Sequence, residues 1–180
     1  SFIVAIDGPA GTGKGTVTKI LAKKFKLLNI DTGATYRCVT LEMLNKGVKL
    51  EELDKIKEIL ENIKIEIENT KEGQKVFLNG EDVTEKIRSK EVTELVSQVS
   101  SIKEVRFKMV DLQRKMAEGK NVIMEGRDIG TYVFPSADVK IYLDADLEER
   151  AKRRFLQNRE KGIDINYVDV LENIKQRDEN

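Results

Sequence analysis

Most of the chain consists of short apolar runs and, between them, segments in which apolar residues recur with the spacing of a helix. Because both faces of a parallel sheet are covered by helices, its strands are nearly continuous apolar segments. Such segments occupy residues 2–6, 27–30, 121–124 and 139–143. Helical spacing occupies residues 15–26, 36–45, 50–62 and 92–118, and the first helix has one apolar face formed by Val17, Ile20, Leu21 and Phe25. This alternation predicts a doubly wound parallel α/β sheet, whose ligands bind at the carboxyl ends of the strands.

The pattern changes after residue 62. Ile63, Ile65 and Ile67 alternate with charged residues, which predicts a strand with one exposed face. Residues 71–73 predict a turn, and residues 76–78 predict a returning strand. Alternation of this kind is typical of antiparallel sheets. We therefore expect residues 63–90 to form a small antiparallel β insert within the parallel α/β fold.

The composition restricts the class of function. The 180 residues include 32 basic and 32 acidic side chains, so the net charge is zero. Proteins that bind nucleic acids or membrane surfaces usually have a basic excess, and we expect neither partner here. The chain has no histidine, which excludes catalysis and zinc binding by histidine. The single cysteine, Cys38, cannot form an internal disulfide; we predict that it is a small core residue of a cytoplasmic protein.

A glycine-rich segment follows the first predicted strand. Four residues separate Gly8 from Gly13, and Lys14 comes next, which is the Walker A spacing. Glycines allow backbone N–H groups to point at phosphate oxygens, and the lysine adds a positive charge. The predicted ATP-binding residues are Gly8, Pro9, Ala10, Gly11, Thr12, Gly13, Lys14, Gly15 and Thr16. Gly15 stands where a serine or threonine usually binds magnesium, so Thr16 is the candidate metal ligand.

Two further polar clusters follow predicted strands, at residues 31–37 and 125–128. The carboxyl ends of parallel strands can converge on the glycine-rich segment at residues 8–16, the predicted phosphate loop. Arg37 and Arg127 would then form a fork for the phosphate of an acceptor, because a guanidinium group matches phosphate geometry in a bidentate manner. Asp128 can accept a hydrogen bond from an amino group of the acceptor.

Taken together, these motifs resemble those of bacterial cytidylate kinases, which are nucleoside monophosphate kinases of the P-loop kinase class. The matching segments occur in family order at residues 7–16, 31–37, 97–99, 125–131, 133–135, 148–154 and 174–178. The resemblance implies a transferase of pyrimidine metabolism that moves a phosphoryl group from ATP to CMP or dCMP. It implies Mg²⁺ as the cofactor, and we expect a monomer.

The resemblance also implies roles for individual residues. The CMP-binding residues would be Thr32, Arg37, Ser97, Arg106, Arg127 and Asp128. The catalytic residues would be Lys14, Arg127, Arg153, Arg154 and Arg177, of which the last three belong to a lid over ATP. Two positions depart from the family pattern. Thr32 replaces a serine that is common there, and Glu125 stands where the family usually has aspartate.

The same resemblance divides the chain into a core, an acceptor lobe and a lid. Residues 1–35 and 100–147 are predicted to form the P-loop core, and residues 36–99 the lobe that binds the nucleoside monophosphate. Residues 148–180 are predicted to form a helical lid and a following helix, with Asp146 and Glu149 as the capping box at its start. The family has a further strand and helix beyond this point, and we expect them to be absent from this chain.

Two alternatives are open at this point. A kinase for another nucleoside monophosphate, UMP or AMP, would share the donor loop and the arginine fork. A non-catalytic P-loop switch would share the loop alone, and the arginine-rich cluster argues against it because a switch has no second phosphate to bind. Measuring ADP release with each nucleoside monophosphate in turn distinguishes these functions.

Overall fold

The computed structural model describes residues 1–144 together with Leu156, Asp169, Glu172, Asn173, Lys175 and Gln176. In chain order its elements are β1 (Ile3–Asp7), α1 (Lys14–Phe25), β2 (Leu28–Asp31), α2 (Thr32–Lys46), α3 (Leu53–Asn62), β3 (Ile65–Thr70), β4 (Gly73–Leu78), β5 (Glu81–Asp82), a 3₁₀ turn (Lys86–Arg88), α4 (Lys90–Ser100), α5 (Lys103–Ala117), β6 (Val122–Gly126), a π-helical turn (Ile129–Val133) and β7 (Val139–Tyr142). The chain divides into two compact units, Ser1–Thr32 with Gln113–Asn180, and Gly33–Leu112.

The predicted lid, including its capping box at Asp146 and Glu149, lies outside the described residues. Within the part of the chain that is described, no helix is both long enough and apolar enough to cross a membrane.

The first unit contains a four-stranded parallel sheet with the strand order β2-β6-β1-β7. β6 lies between β2 and β1, and all three ladders are parallel. Asp31 lies opposite Glu125, and Asp7 lies opposite Gly126. The predicted parallel α/β sheet is therefore confirmed, and the polar residues that follow its strands lie at one edge.

Helix α1 packs on this sheet with a face that differs from the predicted one. Val17 and Leu21 pack against the buried residues of the sheet, as predicted. Ile20 and Phe25 are instead 60% and 59% exposed, so the prediction is wrong for these two side chains. Thr18 is fully buried in their place. The preceding loop fixes where the helix begins, and therefore which side of it faces the sheet.

The second unit combines helices with the predicted β insert. Strands β3, β4 and β5 form an antiparallel sheet in that order. Ile65 pairs with Leu78, and both are buried, whereas Lys64 and Glu66 on either side of Ile65 are exposed. The predicted alternation is thus confirmed. Strand β5 was not predicted, because two residues are too few to show a periodic pattern.

The predicted helix over residues 92–118 is instead two helices, α4 and α5, which are separated at Ser101 and Ile102. Ser101 donates to the carbonyl oxygen of Gln98 from its hydroxyl at 2.7 Å and from its N–H at 3.3 Å. The N–H of Ile102 donates to the carbonyl oxygen of Val99 at 3.1 Å. These bonds span three residues rather than four. A serine hydroxyl that competes for a backbone carbonyl favours such a helix end, and amphipathic spacing does not reveal it.

Cys38 lies in α2 and is completely buried, as predicted from the sequence. Burial disfavours the thiolate and raises the pKa of Cys38 to about 12. Because the thiolate is the reactive form, we expect an aromatic disulfide reagent to leave the folded protein unmodified and to react with one thiol per chain in urea. Absorbance of the released aromatic thiol measures both states. Rapid stoichiometric reaction of the folded protein would contradict this prediction.

Candidate functional site

The candidate donor site is the loop between β1 and α1. Gly8, Gly11 and Gly13 have positive φ angles of 147°, 78° and 89°. At Gly8 no other residue fits, because a Cβ atom there would lie 2.0 Å from the carbonyl oxygen of Leu143. Gly13 is the left-handed N-cap residue of α1. The N–H groups of the first helical turn have no helical acceptor, so this end of the helix is suited to bind an anion.

Lys14 is the first residue of α1, and its side chain turns back over the loop. Its Nζ donates to the carbonyl oxygens of Gly8 at 2.6 Å and Pro9 at 2.8 Å. The Thr12 hydroxyl also donates to the Pro9 carbonyl oxygen, at 3.0 Å. The residues predicted to bind ATP therefore form a loop followed by the first turn of α1, and the Lys14 ammonium group is held against the loop.

Two carboxylates lie at adjoining strand ends beside this loop. Asp31 ends β2, and Glu125 lies opposite it on β6. Burial raises the pKa of Glu125, and repulsion by Asp31 raises it further. The nearby Thr18 hydroxyl and the charge of Lys14 offset part of this rise. The ionised form of Glu125 is thus less favourable here than in an exposed glutamate, and a positive charge would stabilise it.

Gly15 stands beside the Glu125 carboxylate. A Cβ atom at Gly15 would lie 3.8 Å from each of the two carboxylate oxygens. Walker A loops usually have a hydroxyl side chain at this position. In this chain an acidic oxygen, rather than a hydroxyl from the helix, adjoins the start of α1.

Arg127 and Asp128 follow the end of β6 and precede the π-helical turn. Gly126, the last residue of β6, lies opposite Asp7, which directly precedes the phosphate loop. The pairing of β1 with β6 therefore places Arg127 and Asp128 at the same edge of the sheet as the loop. Arg127 is exposed and Asp128 is half-buried, so both are at the surface of this unit.

Thr32 begins α2 and is buried. Its hydroxyl donates to the carbonyl oxygen of Glu125 at 2.6 Å. A Cβ atom at Gly126 would lie 2.7 Å from this hydroxyl oxygen. Thr32 therefore ties the start of α2 to the end of β6, directly before Arg127.

Three of the residues predicted to bind CMP lie in the second unit. Arg37 on α2 donates from Nη1 to the carbonyl oxygen of Ile87 at 2.9 Å and to the Thr93 hydroxyl at 3.0 Å. Ser97 follows Thr93 by one turn of α4 and lies on the same helix face, which is the face that Arg37 contacts at Thr93. Arg106 lies on α5 and is exposed.

Asp7 is a residue of the site for which the sequence predicted no role. Its two carboxylate oxygens accept the backbone N–H groups of Ile129 at 2.6 Å and Gly130 at 2.7 Å. The available signal was an acidic residue at a buried strand end, directly before Gly8. That signal does not indicate which backbone groups the carboxylate binds.

The predicted lid residues Arg153, Arg154 and Arg177 lie outside the described residues. Across residues 1–144 and the few described positions beyond them, no group of three or more acidic, cysteine or histidine side chains could hold a metal ion. Asp31 and Glu125 form a pair of carboxylates, not a complete protein ligand set for a metal.

A parallel sheet whose first strand leads through a glycine-rich loop and a lysine into the first helix defines the P-loop kinase class of fold. Residues 4–180 match the model of the family described as "Cytidylate kinase". The chain is 55% identical to the cytidylate kinase of Caldicellulosiruptor saccharolyticus, over 98% of this chain and 78% of that protein. It is 51% identical to the cytidylate kinase of Fusobacterium nucleatum, over 99% of this chain and 80% of that protein. It is 50% identical to the cytidylate kinase of Bacillus subtilis, over 97% of this chain and 78% of that protein. The chain belongs to the cytidylate kinase family.

Replacement of Glu125 by glutamine should change how stability depends on pH. Because the pKa of Glu125 is raised in the folded state, its ionisation costs stability as pH rises above the ordinary carboxyl range. Glutamine does not ionise. We therefore expect the free energy of unfolding of Glu125→Gln, relative to the parent, to increase from about pH 4 to about pH 7. Urea titrations at each pH measure this difference.

Glu52→Gln is the matched control, because the pKa of half-buried Glu52 is lowered, first by its hydrogen bond with Lys55. Over the same rise in pH, the relative stability of this variant should stay constant or decrease slightly. If the stability of Glu125→Gln followed that of the parent at every pH, the raised pKa of Glu125 would be wrong.

Proposed function

We propose that the protein catalyses the ATP-dependent phosphorylation of CMP, and of dCMP, to the diphosphate with release of ADP. The observation that carries this proposal is that two elements with groups suited to phosphate binding follow neighbouring strands in a member of the cytidylate kinase family. These are the lysine-containing loop after β1 and the pair Arg127 and Asp128 after β6. The loop alone would fit any P-loop nucleotide-binding protein. The arginine and the carboxylate add groups suited to a second phosphate and to a base with an amino group.

On the donor side, residues 8–16 hold the phosphates of ATP. Backbone N–H groups of the loop and of the first turn of α1 bind phosphate oxygens, and Lys14 supplies positive charge to the β- and γ-phosphates. The phosphoryl group passes directly from ATP to the phosphate of CMP without a covalent enzyme intermediate. A chain with no histidine and with its one cysteine buried suits this route. Catalysis then consists of positioning and of neutralising charge.

On the acceptor side, we assign CMP to six residues: Thr32, Arg37, Ser97, Arg106, Arg127 and Asp128. Arg37 and Arg127 bind the CMP phosphate, because guanidinium groups make strong paired hydrogen bonds with phosphate oxygens. Asp128 faces the cytosine amino group. A carboxylate only accepts hydrogen bonds, so it favours the amine of cytosine over the carbonyl that uracil has at the same position.

Mg²⁺ fits the pair of carboxylates at the strand ends. It is a hard cation that prefers oxygen ligands. The pKa of Glu125 is raised in part by repulsion from Asp31, and a bound cation would relieve this repulsion. We assign Asp31 and Glu125 to the metal, with Thr16 on the exposed side of the first turn of α1 as a further candidate ligand. When bound, the ion would neutralise phosphate charge.

For the chain as a whole, we propose a division of labour that follows the sequence. Residues 1–35 and 100–147 form the P-loop core, and residues 36–99, with the insert at 63–90, form the lobe for the nucleoside monophosphate. Residues 148–180 form a lid that brings Arg153, Arg154 and Arg177 to the transferring phosphate and excludes water. We propose that the enzyme works as a cytoplasmic monomer on small-molecule substrates.

Lys14→Met should abolish the transfer and leave the fold intact, because the lysine provides charge to the phosphates and lies outside the apolar core. We expect turnover with CMP to fall by roughly 10²-fold or more, while circular dichroism is unchanged. Lys23→Met, an exposed change in the last turn of the same helix, is the control and should keep parental turnover. ADP release with CMP, UMP and AMP in turn measures both rate and acceptor. More than a tenth of parental turnover in Lys14→Met would contradict its role.

Arg127→Ala should weaken CMP binding far more than ATP binding, because the arginine is assigned to the acceptor phosphate. Loss of a charge-assisted hydrogen bond corresponds to about a ten- to hundredfold weaker CMP affinity. Isothermal titration with each nucleotide measures the difference. Arg127→Lys keeps the charge without the fork and should give an intermediate loss. Equal losses for both nucleotides in Arg127→Ala would show that this arginine is not specific to the acceptor.

A further inference from the structure

The π-helical turn Ile129–Val133 is held at both ends by charged side chains of opposite sign. At its start, the Asp7 carboxylate accepts the N–H groups of Ile129 and Gly130. At its end, Arg114 donates from Nη2 to the carbonyl oxygen of Tyr132 and from Nε to that of Val133, both at 3.0 Å. The Arg114 guanidinium also lies over the Tyr132 ring, 5.8 Å from its centroid. Negative charge at the start of a helical turn and positive charge at its end both stabilise it.

Arg127 and Asp128 are the only two residues between β6 and this turn. On one side of them, Gly126 pairs with the main chain of Asp7 in the sheet. On the other side, Ile129 binds the side chain of the same Asp7. A segment of two residues is therefore fixed at both ends by one residue. The carbonyl oxygen of Asp128 is itself part of the turn, because it accepts the N–H of Tyr132 at 2.8 Å.

Close packing on both sides leaves this segment little freedom. A Cβ atom at Gly130 would lie 3.2 Å from the Asp7 carboxylate, so glycine permits the close approach of the turn. A Cβ atom at Gly126 would lie 2.9 Å from the Ile129 side chain. A buried carboxylate is costly unless its oxygens are hydrogen-bonded, and here each oxygen of Asp7 binds one N–H of the turn. π-helical turns also occur frequently at functional sites.

We propose that Asp7 and Arg114 are positioning residues for the acceptor nucleotide. They act on CMP only through Arg127 and Asp128, by holding the turn that follows these two residues. Although Asp7 directly precedes the donor loop, its carboxylate serves the acceptor. This inference rests on the proposed function, in which Arg127 binds the CMP phosphate and Asp128 reads the cytosine amino group.

The test compares Asp7→Asn and Arg114→Gln with the parent in steady-state kinetics. Asparagine keeps the size of Asp7 but offers one acceptor where two are needed, and glutamine removes the fork of Arg114. We expect each variant to raise the KM for CMP about tenfold or more, and to narrow the ratio of kcat/KM for CMP to that for UMP. The KM for ATP should change by less than about threefold in Arg114→Gln, because Arg114 belongs to neither the donor loop nor α1.

Asp138→Asn is the matched control. Asp138 also accepts a backbone N–H of the same sheet, that of Ile3 at 2.8 Å, but its side chain is hydrogen-bonded to neither the turn nor the phosphate loop. It should keep the parental KM for CMP and the parental base preference. Arg114→Lys retains the charge and should raise the KM for CMP less than Arg114→Gln does. If Asp7→Asn does not fold, the comparison of these two Arg114 variants with the parent provides the test. Hydrogen exchange at the Ile129 and Gly130 amides should accelerate in Asp7→Asn.

Two outcomes would overturn the inference in distinguishable ways. If the parent phosphorylates CMP, and Arg114→Gln and Asp7→Asn lose only thermal stability with an unchanged KM for CMP and unchanged base preference, both residues are merely structural. If the parent itself releases no ADP with CMP, the proposed function fails and the inference fails with it.

Discussion

The pairing of Asp7 with Gly126 in the ladder between β1 and β6 sets the geometry on which both parts of the site depend. It ends the two strands at the same level, so the phosphate loop and the segment with Arg127 and Asp128 begin side by side. A shift of register by one residue would turn the side chains to opposite faces of the sheet. The positions of the phosphate loop and of Arg127 and Asp128 therefore depend on apolar strand residues outside the site, such as the buried Ala5 and its partner Met124.

Those parts of the fold that have a local cause could be predicted from the sequence. The glycines of the phosphate loop and the alternation of Ile63, Ile65 and Ile67 each specify a local conformation, and the structure has both a loop and an antiparallel sheet there. The face of α1 that packs on the sheet could not be predicted, because the helix has more apolar residues than those that contact the sheet. The end of α4 at Ser101 also escaped prediction, because it depends on a hydroxyl bond and not on apolar spacing.

The same distinction applies to the candidate site. Lys14, Arg127 and Asp128 could be predicted as site residues because they belong to short motifs of fixed spacing. The partners of Asp7 are backbone groups more than a hundred residues away along the chain, and only the strand order brings them together. Likewise, Arg37 binds the Thr93 hydroxyl and a backbone carbonyl of the 3₁₀ turn, groups that no pattern around Arg37 indicates.

The burial of Cys38 also simplifies site-specific labelling of this protein. Its thiol is fully enclosed, and it is the only cysteine among the 180 residues. A cysteine introduced at an exposed position, such as Lys49 or Glu118, would therefore be the only readily reactive thiol of the folded chain. A fluorophore or spin label could be attached there with residue 38 left as it is. Nucleotide titrations can then be followed by spectroscopy without a cysteine-free background.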